Sequence, residues 1–132
     1  MDHKDLYLRK SFAISHNDGQ MWAANLDALG DHPDVLLRRW EEDIAVLLRP
    51  SSPGVAAVNL CQTAVSAQQA DRMMADLQAA GPRVTRVAFI GADRAAGKNL
   101  RDAAKRQGAT FVHQYFKDFV VAKDWLIPPR GK

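Results

Sequence analysis

Val55-Ala56-Ala57-Val58-Asn59-Leu60-Cys61-Gln62-Thr63-Ala64-Val65-Ser66 is the stretch that decides the fold. Its first six residues carry no charge and only one polar side chain, the pattern of a strand covered on both faces. Its last residue, Ser66, has Gln69 three positions on, the capping-box signature that opens a helix. A doubly covered strand that feeds a helix is the repeating unit of a parallel sheet, because parallel neighbours need a crossover between them.

Working outward, the same unit recurs towards the C-terminus. The helix after Ser66 has an inner stripe of Ala70, Met73, Met74 and Leu77 and stops at Gly81-Pro82. Val84 to Gly91 reads as a second central strand. Asp93 caps the helix behind it, Ala96, Leu100, Ala103 and Ala104 face inward, and Gly108 ends it. Ala109 to Tyr115 is the last strand. Asp118 to Leu126 is the closing helix, with Phe119, Ala122, Trp125 and Leu126 as its apolar face, and residues 128–132 form a short tail after Pro128-Pro129.

Towards the N-terminus the pattern changes. Leu6 to Ser15 and Met21 to Leu26 are β-compatible, and His16-Asn17-Asp18-Gly19 between them tolerates the positive φ of a hairpin turn. A helix follows, with Asp31 as cap, Pro33 in the first turn and Asp34 against the helix dipole. Val35, Leu36, Trp40, Ile44, Leu47 and Leu48 recur at helical spacing, with Arg38, Glu41, Glu42 and Arg49 mostly off that face. Pro50 ends this helix, and Ser51-Ser52-Pro53-Gly54 leads into the deciding stretch. The order is therefore ββαβαβαβα. It predicts a single α/β domain over residues 1–127, with a mostly parallel five-stranded sheet, an antiparallel edge hairpin and four helices.

A chain of 132 residues with 47% hydrophobic and 25% charged residues has ordinary globular composition. Cys61 is the only cysteine, which rules out an intramolecular disulfide. No signal-peptide core appears in the first twenty residues, and no apolar run nears the ~20 residues of a membrane span. A cytoplasmic location is expected, with no transmembrane segment. The net charge of +3 is too small to imply nucleic acid by itself.

Gly91-Ala92-Asp93-Arg94-Ala95-Ala96-Gly97-Lys98-Asn99 looks like a phosphate loop, but five residues separate its glycines and Asn99 follows the lysine. A true loop has four between them and Ser or Thr after the lysine, so the segment is read as a helix entry and the phosphate-loop reading is rejected. Cys61 falls just past a central strand, where open α/β sheets place ligands. No histidine is linked to it by any sequence cue, and His113 sits within a strand. His3, His16, His32 and His113 are too scattered for a metal set. No catalytic residue, metal or cofactor is expected.

Two groups remain as candidate contact sites. Cys61, Gln62, Thr63 and Ser66 form a loop whose hydroxyls stand by a helix N-terminus, where a phosphate would meet free N–H groups. Arg94, Lys98, Arg101 and Lys105 are spaced by four, three and four residues and share one helix face, with Arg106, Arg83 and Arg86 nearby. That face is either solvated or a docking surface for an acidic partner or a lipid headgroup. Aromatics are not interleaved with it, which counts against single-stranded nucleic acid.

Three segments together resemble the STAS-type domains of the anti-anti-sigma group, in the branch called STAS/SEC14-like. They are Val58-Asn59-Leu60-Cys61-Gln62-Thr63-Ala64-Val65-Ser66, then Arg86-Val87-Ala88-Phe89-Ile90-Gly91, then Phe116 to Leu126 with its ending Ala122-Lys123-Asp124-Trp125-Leu126. The resemblance implies a helix-covered, mainly parallel sheet and a non-enzymatic role in binding or regulation through a protein partner. It also implies a phosphorylated serine at the helix N-terminus, and Ser66 holds that place, preceded by Val65 where phosphorylated members carry Asp. A small apolar ligand or lipid, held between the sheet and the helix of Val35 to Leu48, is the alternative. A homodimer is compatible with either reading.

Overall fold

Asn17 and Asp18 both take positive φ, 49° and 67°, the left-handed pair that a two-residue hairpin turn needs. They join β1 (Phe12–His16) to β2 (Gly19–Asn25) as an antiparallel pair with Ile14 opposite Met21. The computed structural model describes residues 12–49 and 53–129, so the expected strand start at Leu6 to Ser11, the helix stop at Pro50 and the end of the tail lie outside the described residues. Beyond the hairpin come α1 (Pro33–Leu47), β3 (Val55–Asn59), α2 (Ala67–Ala79), β4 (Arg86–Ile90), α3 (Arg94–Gln107), β5 (Val112–Phe116) and α4 (Phe119–Leu126). A single 3-10 turn, Gly81–Arg83, leads out of α2.

The strands lie in chain order, β1-β2-β3-β4-β5, and every pair after the first is parallel. Crossovers of one hand that always step to the next strand put their helices on one face. Accordingly α1, α2 and α3 bury Leu36, Trp40, Met73, Met74 and Leu100 against Ala56, Val58, Val87 and Phe89. The opposite face belongs to α4, whose Ala122 and Leu126 meet Met21, Ala57, Ala88 and Ile90. β3 is thus central in the sheet and covered on both sides, as the uncharged run predicts. Over the described residues the fold is α/β with a five-stranded mixed sheet and four helices.

The caps follow local chemistry. Ser66 accepts from the Gln69 N–H while the Gln69 side chain accepts from the Ser66 N–H, a complete capping box. Asp93 accepts from the Ala96 N–H, Asp118 accepts from the Val120 N–H, and Gly108 ends α3 with φ 63°. One expected cap is corrected. Asp31 does not cap α1; the cap position is His32, whose side chain makes no capping bond. Pro33 fixes the first helical residue, so the carbonyl of His32 takes the Leu36 N–H and Asp31 is left one step outside. The α1 stripe also conceals two charged residues, Arg39 and Asp43, both buried. The Arg39 guanidinium donates to the carbonyl of Asn25 at the end of β2.

The strand ends set up the site. Past β2 and β3 the chain keeps pairing through its loops: Leu26 N–H to Asn59 O, Ala28 N–H to Cys61 O and Gly30 N–H to Gln62 O. A parallel bridge between Gly30 and Thr63 completes this extension.

Candidate binding cleft

The loop from Cys61 to Ser66 is held from below. Its Cys61 N–H donates to Asn59 Oδ1 at 3.1 Å, and Gln62 turns the chain with φ 57°. Thr63 Oγ1 donates to the Leu26 carbonyl at 2.5 Å and accepts from the Leu29 N–H at 3.1 Å, and the residue is buried. With that hydroxyl donating to one loop and accepting from the other, Thr63 is a fastener between them. Cys61 is half-buried and packs on Gly91 at the end of β4. From α3, Asn99 Nδ2 donates to the Val65 carbonyl at 2.9 Å and anchors the far end of the loop.

Gln62 and Ser66 are the exposed members of the group, and Ser66 is the one at the cleft. Ser66 stands on the wall of a cleft of about 630 Å³ formed where the starts of α1, α2 and α3 converge. Pro33 and Leu37 of α1, Ala64 and Val65 of the loop, and Ala95 and Ala96 of α3 supply apolar lining. Asp31 and Asp93 add two carboxylates, and Gln68, Gln69 and Arg72 line the α2 side. Arg72 is already engaged, by Glu41 at 3.0 Å and by Asp76 at 3.1 Å. The bond to Glu41, then the charge of Asp76, raises its guanidinium pKa further. The helix dipoles point their positive ends here, while the side chains in reach are acidic or neutral apart from the engaged Arg72.

The structure separates Cys61 from His113. His113 lies on β5 with its Nδ1 3.0 Å from Tyr115 Oη, edge-on to the rings of Phe111 and Tyr115. Burial, then the nearby Arg101 charge, lowers its pKa, and burial pushes the Tyr115 phenol up to about 12. These are packing groups on the sheet. Among the described residues no three His, Cys, Asp or Glu side chains are placed to share a metal ion.

The basic stripe on α3 is exposed, with two of its members engaged by neighbours. Lys98 pairs with Asp102 at 2.9 Å, and the Arg101 guanidinium lies 4.4 Å from the centre of the Tyr115 ring. Arg106, beside the stripe, pairs with Asp71 of α2 at 2.5 Å. All four stripe residues, Arg94, Lys98, Arg101 and Lys105, are nonetheless exposed. Between the sheet and α1, where an apolar ligand would sit, the space is about 10 Å³, filled in by Trp22, Trp40, Ile44 and Leu47. That is room for about one water molecule and no lipid chain.

The sequence pointed to the loop and missed its company. Asp93 reads as a cap and Asp31 as another, and nothing local says that both face one cleft with Arg72 across from them. The usable signal was topological: residues just past successive parallel strands gather at one edge of the sheet. Among the described residues, no helix is long and apolar enough to cross a membrane. Comparison of the chain with family models, with curated proteins and with solved structures finds no match.

Proposed function

We propose that this chain is a STAS-like, non-enzymatic binding and regulatory domain that takes a protein partner in the cleft beside Ser66. One observation carries the reading: an open space of about 630 Å³ at the carboxyl ends of the parallel strands, floored by a loop that the fold fastens at Thr63, Cys61 and Asn99. Open α/β sheets bind ligands beyond the carboxyl ends of their strands. This strand order has no switch point, and the crevice is made instead by the converging starts of α1, α2 and α3. The resemblance of Val58 to Ser66, Arg86 to Gly91 and Phe116 to Leu126 to STAS domains supports the same role. Asp31 and Asp93 favour a partner segment that brings a lysine or arginine next to small apolar side chains.

The test is quantitative capture of partners from lysate of the source cells by wild type and by Asp31→Lys, Leu37→Glu, Ser66→Ala and Ser66→Asp. Ser66→Ala loses the cap, about 1 kcal/mol, and should leave the captured set intact at temperatures where the protein is folded. Asp31→Lys and Leu37→Glu should lose a common component. Ser66→Asp keeps a capping oxygen but adds charge to an acidic cleft, so a change in yield is expected there as well. Equal capture of every component by all variants would reject the cleft as the binding surface.

A further inference from the structure

β5 is an edge strand whose outer side has no neighbour among the described residues. Its Val112 N–H donates to the Thr85 carbonyl, and its Phe116 carbonyl accepts from the Gly91 N–H. Backbone groups alternate sides along a strand. Val112, Gln114 and Phe116 therefore spend theirs on β4, and those of His113 and Tyr115 point outward from the sheet.

The two flanks of that edge differ sharply. On the α4 face, Val112 is 54% exposed, and Val121 of α4 is likewise 54% exposed. Trp125 lies four residues beyond Val121, half-buried against Phe116 with ring centres 5.5 Å apart. On the other face stands the cationic stripe of α3. Asn99, Arg106 and Gln107 occupy the side of α3 that meets α2 and its approaching loop, through Val65 O, Asp71 Oδ1 and Asp71 O. Arg94, Lys98, Arg101 and Lys105 sit on the opposite flank of the helix, and the stacking of Arg101 on Tyr115 shows that this flank leans over β5. The stripe thus borders the free edge.

We infer that the β5 edge accepts an extended acidic segment of a partner protein as a sixth strand. Side chains on a strand alternate between faces. A matching segment alternates acidic residues, which meet Arg101 and its neighbours, with aliphatic ones, which cover Val112 and Val121. Strand addition draws affinity from main-chain bonds and selectivity from alternate side chains. Like charges from two α3 stripes would oppose a second copy at the same edge, so charge complementarity selects the acidic partner. This surface is separate from the cleft and does not depend on it.

The probes are two capped synthetic peptides of equal composition, one alternating Glu and Val, the other with the Glu and Val in separate blocks. The alternating peptide should bind at least about tenfold tighter, weaken as salt is raised, and slow amide exchange at His113 and Tyr115. Lys98→Glu with Lys105→Glu should abolish its binding, and Ser66→Asp should leave it unchanged. Equal affinity for the two peptides, or binding without protection of those two amides, would overturn the inference. So would equal binding of an oligonucleotide, which would reduce the stripe to general anion attraction. Concentration-dependent protection of the same amides in the protein alone would replace the acidic partner with a second copy.

Discussion

Gly91 is where the central strands come closest to the loop that floors the cleft. Its φ is +74°, and a Cβ there would overlap Cys61 Sγ and lie 3.0 Å from Cys61 Cα. Two costs therefore fall on Gly91→Ala. The left-handed backbone costs a non-glycine residue about 1–2 kcal/mol, and the overlap forces apart strands that are hydrogen-bonded through Leu60 N–H and Ile90 O. A loss of more than about 2 kcal/mol in urea unfolding is expected. In a Cys61→Ala background the sulfur is gone, but the crowding against the residue 61 backbone and the positive φ remain. The cost of Gly91→Ala should then fall by about 1 kcal/mol without vanishing. A cost unchanged by Cys61→Ala would mean that the backbone conformation alone carries the effect. The sequence displays this glycine as the end of a strand, and only the fold shows that a cysteine from the loop after the neighbouring strand fills the place of its side chain.

At the scale of elements, what could be read in advance was what local chemistry governs. Ser66 with Gln69, Asp93, Gly108 and Asp118 sit where their backbone geometry requires them, so the starts or ends of α2, α3 and α4 were legible. The start of α1 was not, because Asp31 and His32 are adjacent and the choice between them is made by Pro33 and by the Gly30–Thr63 bridge. Arg39 and Asp43 were missed for the same reason: burial of a charged residue is decided by partners distant in sequence, here the Asn25 carbonyl for Arg39. The link between α1 and α2 is another such long-range choice. Trp40, fully buried, donates its indole N–H to Asp76 Oδ2 at 2.9 Å, and Asp76 also holds Arg72 at the cleft wall. Trp40→Phe removes the donor, leaves a gap, and frees Asp76 to follow Arg72. It should cost about 2 kcal/mol or more by denaturant titration and weaken any ligand of the cleft in proportion to the disorder of Arg72. Loss of stability with full cleft binding would show that the α1–α2 link plays no part in shaping the site.

The molecule as a whole is lopsided, and this has a measurable consequence. Among the described residues, three helices cover one face of the sheet, whereas the other is covered by α4, a helix of eight residues. A helix so short does not stand alone in water. Its buried contacts are few, and three of the six residues in that cluster are alanines, Ala57, Ala88 and Ala122. Leu126, at 4% exposure, is the one large α4 side chain buried there, against Met21 and Ile90. Polar clasps help: Asp124 takes His16 at 2.7 Å and Asn17 at 3.2 Å, and Asn17 donates to the Ile127 carbonyl at 2.7 Å. The bonds from His16, then Asn17, hold the Asp124 carboxyl below its ordinary value, yet about half of its side chain stays open to solvent, so the clasp positions α4 more than it stabilises it. Leu126→Ala should cost about 2–5 kcal/mol, and the loss should fall first on α4. Amides of α4 should exchange well before those of β3 and β4, and a hydrophobic dye should bind the uncovered face while near-ultraviolet signals of Trp40 persist. Leu100→Ala, in the larger core, should instead lower the stability of sheet and helices together. If α4 and the sheet exchanged at one common free energy in Leu126→Ala, α4 would be an integral part of the cooperative unit. If α4 detaches first, the sixth-strand surface built partly on Val121 should weaken with it, while the cleft on the far face keeps its shape.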